Sequence, residues 1–594
     1  MGYDYWNVHL RWTIPQAVVL WSFLRKLRTP RDVYKTCFLI VATIPWDSYL
    51  IRNRASRFAR HRDVLTIWSY PASSVVGPTL FAIPYEEVFF FFVQTYITAT
   101  LYAVFSRPVV HAVLLPTKPS EGRLVRLAGV AVFGGIFALA WNKLAEGGEG
   151  TYLALIVAWV APFLTLLWFI ASSHIVAMPW SAVLPSIFAP TLYLWECDAR
   201  ALQRGTWVIE KGTKLGWSFR DLEIEEAVFF LLTNVMIVFG MIACDYCLAV
   251  HDIRSYGKRS SSFLPILLWM PKPEEAEIIR DLRNAIDILS AHSKSFSTAS
   301  MVFDGRLRLD LLALYAWCRV CDDLIDNASS VSTAEQNIAL ITSCLDLLYP
   351  PGKADRDAHP RDIASSEIDL ILSGLSEPER GSFRLLSLLP VTRPPLDELV
   401  DGFRTDLAFL ANAPPTQNGH STQAPATAKQ DLPIRTDADL LVYANNVASS
   451  VADLCVQLVW AHSASPHPSS SDQKEILAAA REMGQALQLV NIARDVPADL
   501  KIGRMYLPAR RLDEPVETFT EDRRELLRRA RGMASRSKEA IEKLPKEARG
   551  GIRAACLVYL TIGGAVDMAL DEGRIHDRAT VRRGERARTA WGAL

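Results

Sequence analysis

Two aspartate pairs stand four positions apart, Asp322 with Asp326 and Asp495 with Asp499. On a helix that spacing puts both carboxylates of a pair on one face, aimed at one point. Leu311 to Cys321 and Ala486 to Ala493 are largely apolar, so these acids emerge from helices expected to be buried. Uncompensated charge is costly there and is normally paired or metal-bound. Hard oxygen donors in two facing pairs suit Mg²⁺, which keeps waters and takes substrate phosphate oxygens. The pattern therefore points to a diphosphate-binding site rather than a closed structural metal site.

A second set of acids lies far upstream. Pro84-Tyr-Glu86-Glu87-Val-Phe-Phe-Phe-Phe is echoed by Glu223-Ile-Glu225-Glu226-Ala-Val-Phe-Phe-Leu at a spacing of 139 positions. Trp46-Asp47 is similarly echoed by Cys197-Asp198. Glutamates inside apolar helices are costly and mark function. Clustered carboxyls hold a proton, because desolvation and like charge both favour the neutral form. Such an acid can protonate an alkene, an internal double bond can close a six-membered ring on the cation, and a neighbouring carboxylate can take a proton back. A plainer reading makes the glutamates helix-start residues, favoured by the helix dipole after Pro84. Adjacent residues point about 100° apart on a helix, so the sequence leaves open which glutamate of each pair faces the site.

The elements that position these groups differ in character. The chain has 594 residues, half of them hydrophobic, and zero formal net charge, so at least two domains are expected and nothing implies a nucleic-acid partner. Apolar weight concentrates before residue 250, where seven spans fit, roughly 8–24, 35–51, 79–105, 125–142, 152–173, 179–196 and 223–248. The first, second and sixth are short or polar. The expected layout is a multi-pass transmembrane helical bundle with an internal repeat over 1–250, a linker over 251–273, and an all-α domain over 274–594. A cytosolic C-terminal part makes the basic segments Arg25 to Lys35 and Arg107 to Arg126 cytosolic, although Arg52 to Arg62 and Arg200 to Arg220 disagree. The nine cysteines are scattered and read as packing residues. No glycine-rich nucleotide loop is present.

The two aspartate motifs resemble those of the phytoene/squalene synthase family, all-α enzymes that join two prenyl diphosphates head to head. His292-Ser-Lys-Ser-Phe296, the segment opened by Tyr443, and Gly503-Arg-Met-Tyr-Leu-Pro508 extend the resemblance. Val447-Ala-Ser-Ser-Val-Ala452 stands where the family usually has Val-Ala-Gly-Thr-Val-Gly. The resemblance implies Mg²⁺ (or Mn²⁺) on Asp322, Asp326, Asp495 and Asp499, and phosphate contacts from Arg319, Arg494 and Arg504. It also implies hydrogen bonds from Ser293, Gln488 and Asn491, and carbocation shielding by Tyr315, Tyr443 and Tyr559.

The upstream region resembles the heterodimer-type lycopene cyclases with their Pro-x-Glu-Glu motifs, except that Glu223 replaces the proline in the second copy. The whole chain is similar to fungal enzymes that fuse the two. That implies phytoene from two geranylgeranyl diphosphates through prephytoene diphosphate without NADPH, and γ- and then β-carotene from lycopene in a lipid membrane. Two other readings stay open: a membrane-anchored squalene synthase-like enzyme, which needs NADPH, and a non-catalytic prenyl-lipid scaffold.

Overall fold

A computed structural model of the chain describes residues 2–52, 68–69, 74–80, 83–115, 119–209, 212–256, 272–350, 360, 364–411, 432–463, 465–466 and 468–594. These form two compact units, Met1–Pro271 and Lys272–Leu594.

In the first unit the helices are α1 (Asp4–Val8), α2 (Ile14–Leu24), α3 (Pro30–Arg52), α4 (Tyr85–Phe105), α5 (Pro119–Glu146), α6 (Thr151–Ala177), α7 (Trp180–Gln203) and α8 (Ile224–Tyr256). A π-turn, His9–Thr13, joins α1 to α2. Four of them, Tyr85–Phe105, Gly122–Glu146, Thr151–Ala177 and Ile224–Tyr256, are long and apolar enough to cross a membrane. Among the described residues the helices at the first and sixth expected spans do not reach that threshold, and the side chains of most of the second, 35–51, lie outside the described residues. α5 shows the character most openly, with Leu124, Leu127, Val132 and Leu139 exposed along it. A helix that turns apolar side chains outward is suited to lipid.

The third expected span is shorter than the apolar run suggests. β2 (Thr79–Leu80) pairs antiparallel with β3 (Ile83–Pro84), and α4 starts only at Tyr85. The repeat reproduces this: β5 (Ser218–Phe219) pairs with β6 (Leu222–Glu223), and α8 starts at Ile224. A third two-stranded pairing joins β1 (Trp68–Ser69) to β4 (Val208–Ile209). Arg220 and Asp221 turn the second hairpin with φ of 51° and 67°, the backbone a tight two-residue turn requires. Replacing proline by Glu223 does not move the helix start. Glu223 instead pairs with Lys214 at 2.5 Å.

Away from the glutamates, ion pairs tie α3 to α8 and to Arg107, just past the end of α4. Lys35 reaches Asp32 at 3.0 Å and Asp245 at 2.5 Å, Arg107 pairs with Asp32, and Arg31 pairs with Asp252 at 2.6 Å. Several of the basic residues counted for orientation are thus internal partners of acids. α8 runs six residues into the expected linker, of which 257–271 lie outside the described residues.

Among its described residues the regular structure of the second unit is all helical: α9 (Pro273–His292), α10 (Lys294–Ser300), α11 (Gly305–Asp326), α12 (Val331–Leu348), α13 (Ser365–Ile371), α14 (Glu377–Leu386), α15 (Arg393–Ala411), α16 (Asp437–Ala444), α17 (Ser450–Ala461), α18 (Ser470–Lys501), α19 (Thr520–Ile541), α20 (Lys546–Asp571) and α21 (Arg583–Ala593). α20 also passes the length and apolarity threshold for a span, which the sequence reading did not anticipate. Its apolarity has an internal use: Ala554, Val558, Ile562 and Val566 are buried in the core, and Ile552, Cys556 and Tyr559 line a cavity.

Candidate active sites

α11 and α18 both line a cavity of about 350 Å³, and the two aspartate motifs of the second unit begin one turn beyond their lining residues Cys318 and Asn491. Tyr315, Gln488, Asn491 and Tyr559 line the cavity near the motifs, and Ile476, Ala479, Ala480, Ile541, Leu544 and Ile552 line it farther along the helices. The Tyr559 hydroxyl donates to Asn491 Oδ1 at 2.5 Å, and Asn491 donates to Gln488 at 3.2 Å. The Phe296 ring sits 5.6 Å from that of Tyr315 and 5.4 Å from that of Tyr559, so three aromatic faces gather there. Ser293 caps α10, its hydroxyl accepting the Phe296 amide at 3.2 Å.

Arginines hold the aspartates. Arg319 donates to Asp322 at 2.9 Å and also pairs with Asp323; Arg494 and Arg578 each donate to Asp495 at 2.8 Å. Arg504 donates to Asp326 at 2.6 Å, while its backbone amide donates to the Asp499 carbonyl at 2.9 Å. One residue therefore links the end of α18 to α11.

Asp406 on α15 is the member that sequence reasoning missed. It is 4% exposed and accepts the hydroxyls of Tyr443, at 3.0 Å, and Tyr506, at 2.7 Å. Tyr443 is thereby committed to Asp406 and is not among the residues lining the cavity. Burial first, then the charge of Asp326, pushes the Asp406 carboxyl up to about 6 against the pull of Arg504. Burial and Asp326 push Asp322 up to about 7; burial and Asp495 push Asp499 up to about 7. Asp495 is buried too, yet its two arginines outweigh that and hold it below the usual range.

Among the described residues no three His, Cys, Asp or Glu side chains converge closely enough to hold a metal ion, so the arrangement is two arginine-bridged pairs rather than a formed cage. The donor set nevertheless fits a hard cation. Its oxygens are carboxylates, and burial with crowded negative charge makes Asp322 and Asp499 reluctant to ionise without one.

The Val447–Ala452 stretch lies across the π-turn Asn445–Ser449 and the start of α17. Ser449 donates to the Arg481 carbonyl at 2.6 Å and Ser450 to that of Asn446 at 2.5 Å. The close approach falls to Gly484 on α18, where a Cβ would come within 2.7 Å of the Ala448 carbonyl oxygen.

In the first unit the two glutamates of each pair have different partners, and the difference repeats. Glu86 Oε1 accepts the Val76 amide at 2.8 Å and Glu225 Oε1 accepts the Leu215 amide at 2.7 Å, each ten residues upstream. Glu87 accepts the Tyr5 hydroxyl, and Glu226 accepts the Tyr152 hydroxyl at 2.6 Å. The first glutamate of each pair thus pins the hairpin segment that precedes its helix, and the second meets a tyrosine. The same 139-residue spacing returns where Gln94 donates to Thr233 at 2.8 Å, joining equivalent positions of α4 and α8.

Phe90, Phe230 and Leu194, from α4, α8 and α7, pack into one buried cluster. Glu87 and Glu226 lie one turn before their phenylalanines and Asp198 one turn after Leu194, so all three acids rise on the same side of that layer. The carboxylates of Glu87, Glu226 and Asp198 feel each other's charge. Asp198 accepts the Trp207 indole N–H at 3.1 Å. The side chain of its repeat partner, Asp47, lies outside the described residues.

The comparisons with known proteins agree in direction. The squalene/phytoene synthase family matches residues 289–585. The chain is 40% identical over 623 residues to a bifunctional lycopene cyclase/phytoene synthase of Gibberella fujikuroi, with all of both chains covered. It is 41% identical over 625 residues to the protein of the same name in Leptosphaeria maculans, again with full coverage of both. The Neurospora crassa protein of that name is 36% identical, covering all of this chain and 99% of that one.

Proposed function

The chain belongs to the family of bifunctional lycopene cyclase/phytoene synthases, and from that premise we propose how its two sites divide the work. It is a carotenoid-biosynthesis enzyme with both phytoene synthase and lycopene cyclase activities. Four helices of the first unit, long and apolar enough to span a bilayer, support membrane association.

The second unit condenses two geranylgeranyl diphosphates to phytoene through prephytoene diphosphate. Asp322, Asp326, Asp495 and Asp499, with Asp406 behind them, would hold divalent metal, which when bound supplies positive charge to the leaving diphosphate. Arg319, Arg494 and Arg504 bind phosphate oxygens, exchanging their present carboxylate partners for them. Ser293, Gln488 and Asn491 offer hydrogen bonds near the same end. The cavity takes the apolar chain, and Tyr315 and Tyr559 with Phe296 turn π faces toward a cation and away from water. Tyr443 acts through Asp406 rather than on the chain. The observation that carries this reading is that both aspartate motifs begin one turn beyond the α11 and α18 residues, Cys318 and Asn491, that line one largely apolar cavity. Asp322→Ala or Asp495→Ala should abolish phytoene formation with cyclisation of supplied lycopene intact. Running the parental assay with and without NADPH separates phytoene synthesis from the squalene-type reaction.

The first unit closes rings on lycopene, giving γ- and then β-carotene. Glu87 and Glu226 face the reacting end as one shared site, while Glu86 and Glu225 hold the preceding hairpin segments. The carrying observation is the repeated hydrogen-bonding split, backbone amide to the first glutamate and tyrosine hydroxyl to the second. Glutamine keeps shape and hydrogen bonding but exchanges no proton. Glu87→Gln and Glu226→Gln should each slow ring closure by about 10²- to 10⁴-fold, with lycopene accumulating. Glu86→Gln and Glu225→Gln should cost stability first and retain cyclisation in whatever folds. Near-parental cyclisation by both Glu87→Gln and Glu226→Gln would refute the shared site.

A further inference from the structure

Three carboxyls rise beside the Phe90–Leu194–Phe230 layer, and their hydrogen-bond donors are unevenly shared. Glu87 has the Tyr5 hydroxyl and Glu226 has the Tyr152 hydroxyl. Short O–H donation to a carboxylate stabilises the charged form. Asp198 has one longer contact, the Trp207 indole N–H on Oδ1, and its Oδ2 is buried with no hydrogen-bond partner among the described residues. At 2% exposure Asp198 has almost no water to replace the missing donors. Three anions in one apolar place repel each other, so a proton resides on the group whose anion is least supported. The Tyr5 ring lies 5.0 Å from that of Trp207, so one contact chain runs from Glu87 through Tyr5 and Trp207 to Asp198. The bare second oxygens of Glu86 and Glu225 belong to carboxylates whose first oxygen accepts a backbone amide, a donor that favours the anion.

Resting on the cyclase reading above, we propose that Asp198 is the acid that starts ring closure and that Glu87 and Glu226, held as carboxylates by their tyrosines, are the bases that finish it. The Asp198 O–H bond breaks as its proton forms a C–H bond on the terminal alkene of lycopene, leaving a tertiary cation. The π electrons of the internal alkene form the new C–C bond and carry the charge onto the ring. A ring C–H then gives its proton to a glutamate carboxylate, and its electron pair becomes the ring double bond. The glutamate returns the proton to Asp198. Nothing is oxidised or reduced, and lycopene and product are isomers.

The test uses the full chain, supplied with lycopene in membranes. Asp198→Asn keeps an acceptor for Trp207 but carries no transferable proton, and should lower ring formation by about 10²-fold or more while phytoene synthesis stays parental. Trp207→Phe removes the donor that favours the Asp198 anion, so the acid persists to higher pH and the alkaline limb of the cyclisation profile should move upward. Glu87 on α4, Glu226 on α8, Tyr5 on α1 and Cys197 beside Asp198 titrate in parent and variant alike, so the shift is read as the difference between the two. A purely structural Asp198 would leave that limb where it is. If Asp198→Asn does not fold, the Trp207→Phe profile decides alone. Near-parental cyclisation by a folded Asp198→Asn, or an unmoved limb, overturns the assignment. If Glu87→Gln and Glu226→Gln also cyclise normally, the site itself is wrong; if they fail while Asp198→Asn succeeds, only the choice of acid is.

Discussion

Arg504 grips Asp326 through its guanidinium at 2.6 Å and the end of α18 through its own backbone, so one side chain sets how the two aspartate motifs face each other. Replacing it with methionine keeps the volume and removes the cation that Asp326, Asp406 and Asp499 share. Breaking a fully buried pair costs roughly 3–5 kcal/mol; with 30% of the Asp326 side chain exposed, about 2 kcal/mol is expected here. Phytoene synthesis should fall by about 10²-fold or more, the scale of a lost donor to developing charge. Denaturant unfolding and a phytoene assay measure the two effects, and lycopene cyclisation should be untouched.

The raised carboxyls predict a pH-dependent metal response. Asp322 and Asp499, pushed up to about 7 by burial and like charge, bind protons more tightly folded than unfolded. Their contribution to stability is full below the unfolded aspartate range and is lost as pH rises through about 7. Without divalent metal, the melting temperature of this unit should therefore decline between mildly acidic and mildly alkaline buffer. Water reaching the 38%-exposed Asp322 side chain softens its share. Metal needs the ionised oxygens, so Mg²⁺ should raise the melting temperature more on the alkaline side. Equal Mg²⁺ stabilisation on both sides would show that these two groups are not ligands.

Gly484 sits where α18 crosses the π-turn. An added Cβ would lie 2.7 Å from the Ala448 carbonyl oxygen and 2.8 Å from Ser449 Cα, both backbone atoms that cannot rotate away. Gly484→Ala should cost about 1–3 kcal/mol through overpacking, measured by denaturant unfolding. Because Ala448, Gly484 and Met483 all line the cavity, phytoene synthesis should fall further than the stability loss explains.

What could be read in advance follows from what is periodic. The aspartate pairs were legible because four-residue spacing on an apolar helix has few other meanings, and the glutamate repeat because a spacing recurs. The division of labour within each glutamate pair was not, since it depends on an amide ten residues upstream and on Tyr5 and Tyr152, which no local pattern marks. Residues 79–84 read as span because they are apolar, although Thr79–Leu80 pairs with Ile83–Pro84 as strand before Tyr85. Asp406 was hidden among helix-surface acids such as Asp401, which pairs with Arg404. Only tertiary structure brings Tyr443 and Tyr506 onto it. α20 reads as membrane-like in composition because a core and a cavity wall demand the same side chains that lipid does.

The cavity also sets a length. Asn491 and Gln488 line it nearest the aspartate motif of α18 and Ile476 farther along that helix, with fifteen residues or about 22 Å between Asn491 and Ile476 at the usual helical rise. Ala479 and Ala480 lie on the wall in the distal stretch, with Ile541, Leu544 and Ile552 among the other residues of the lining. Small residues there leave room for the tail of a long prenyl chain. Ala480→Phe should fill that room while leaving Tyr315, Asn491, Tyr559 and the aspartates in place, so the chemistry should survive and the accepted chain should shorten. Preference should move from the twenty-carbon toward the fifteen-carbon diphosphate by at least about tenfold in kcat/KM, since even one methylene in an apolar pocket discriminates by roughly 10- to 200-fold. Competition between the two diphosphates, with the condensed products separated by mass, reads this directly. An unchanged preference in a variant that still turns over would mean that the prenyl chain does not occupy this end of the cavity.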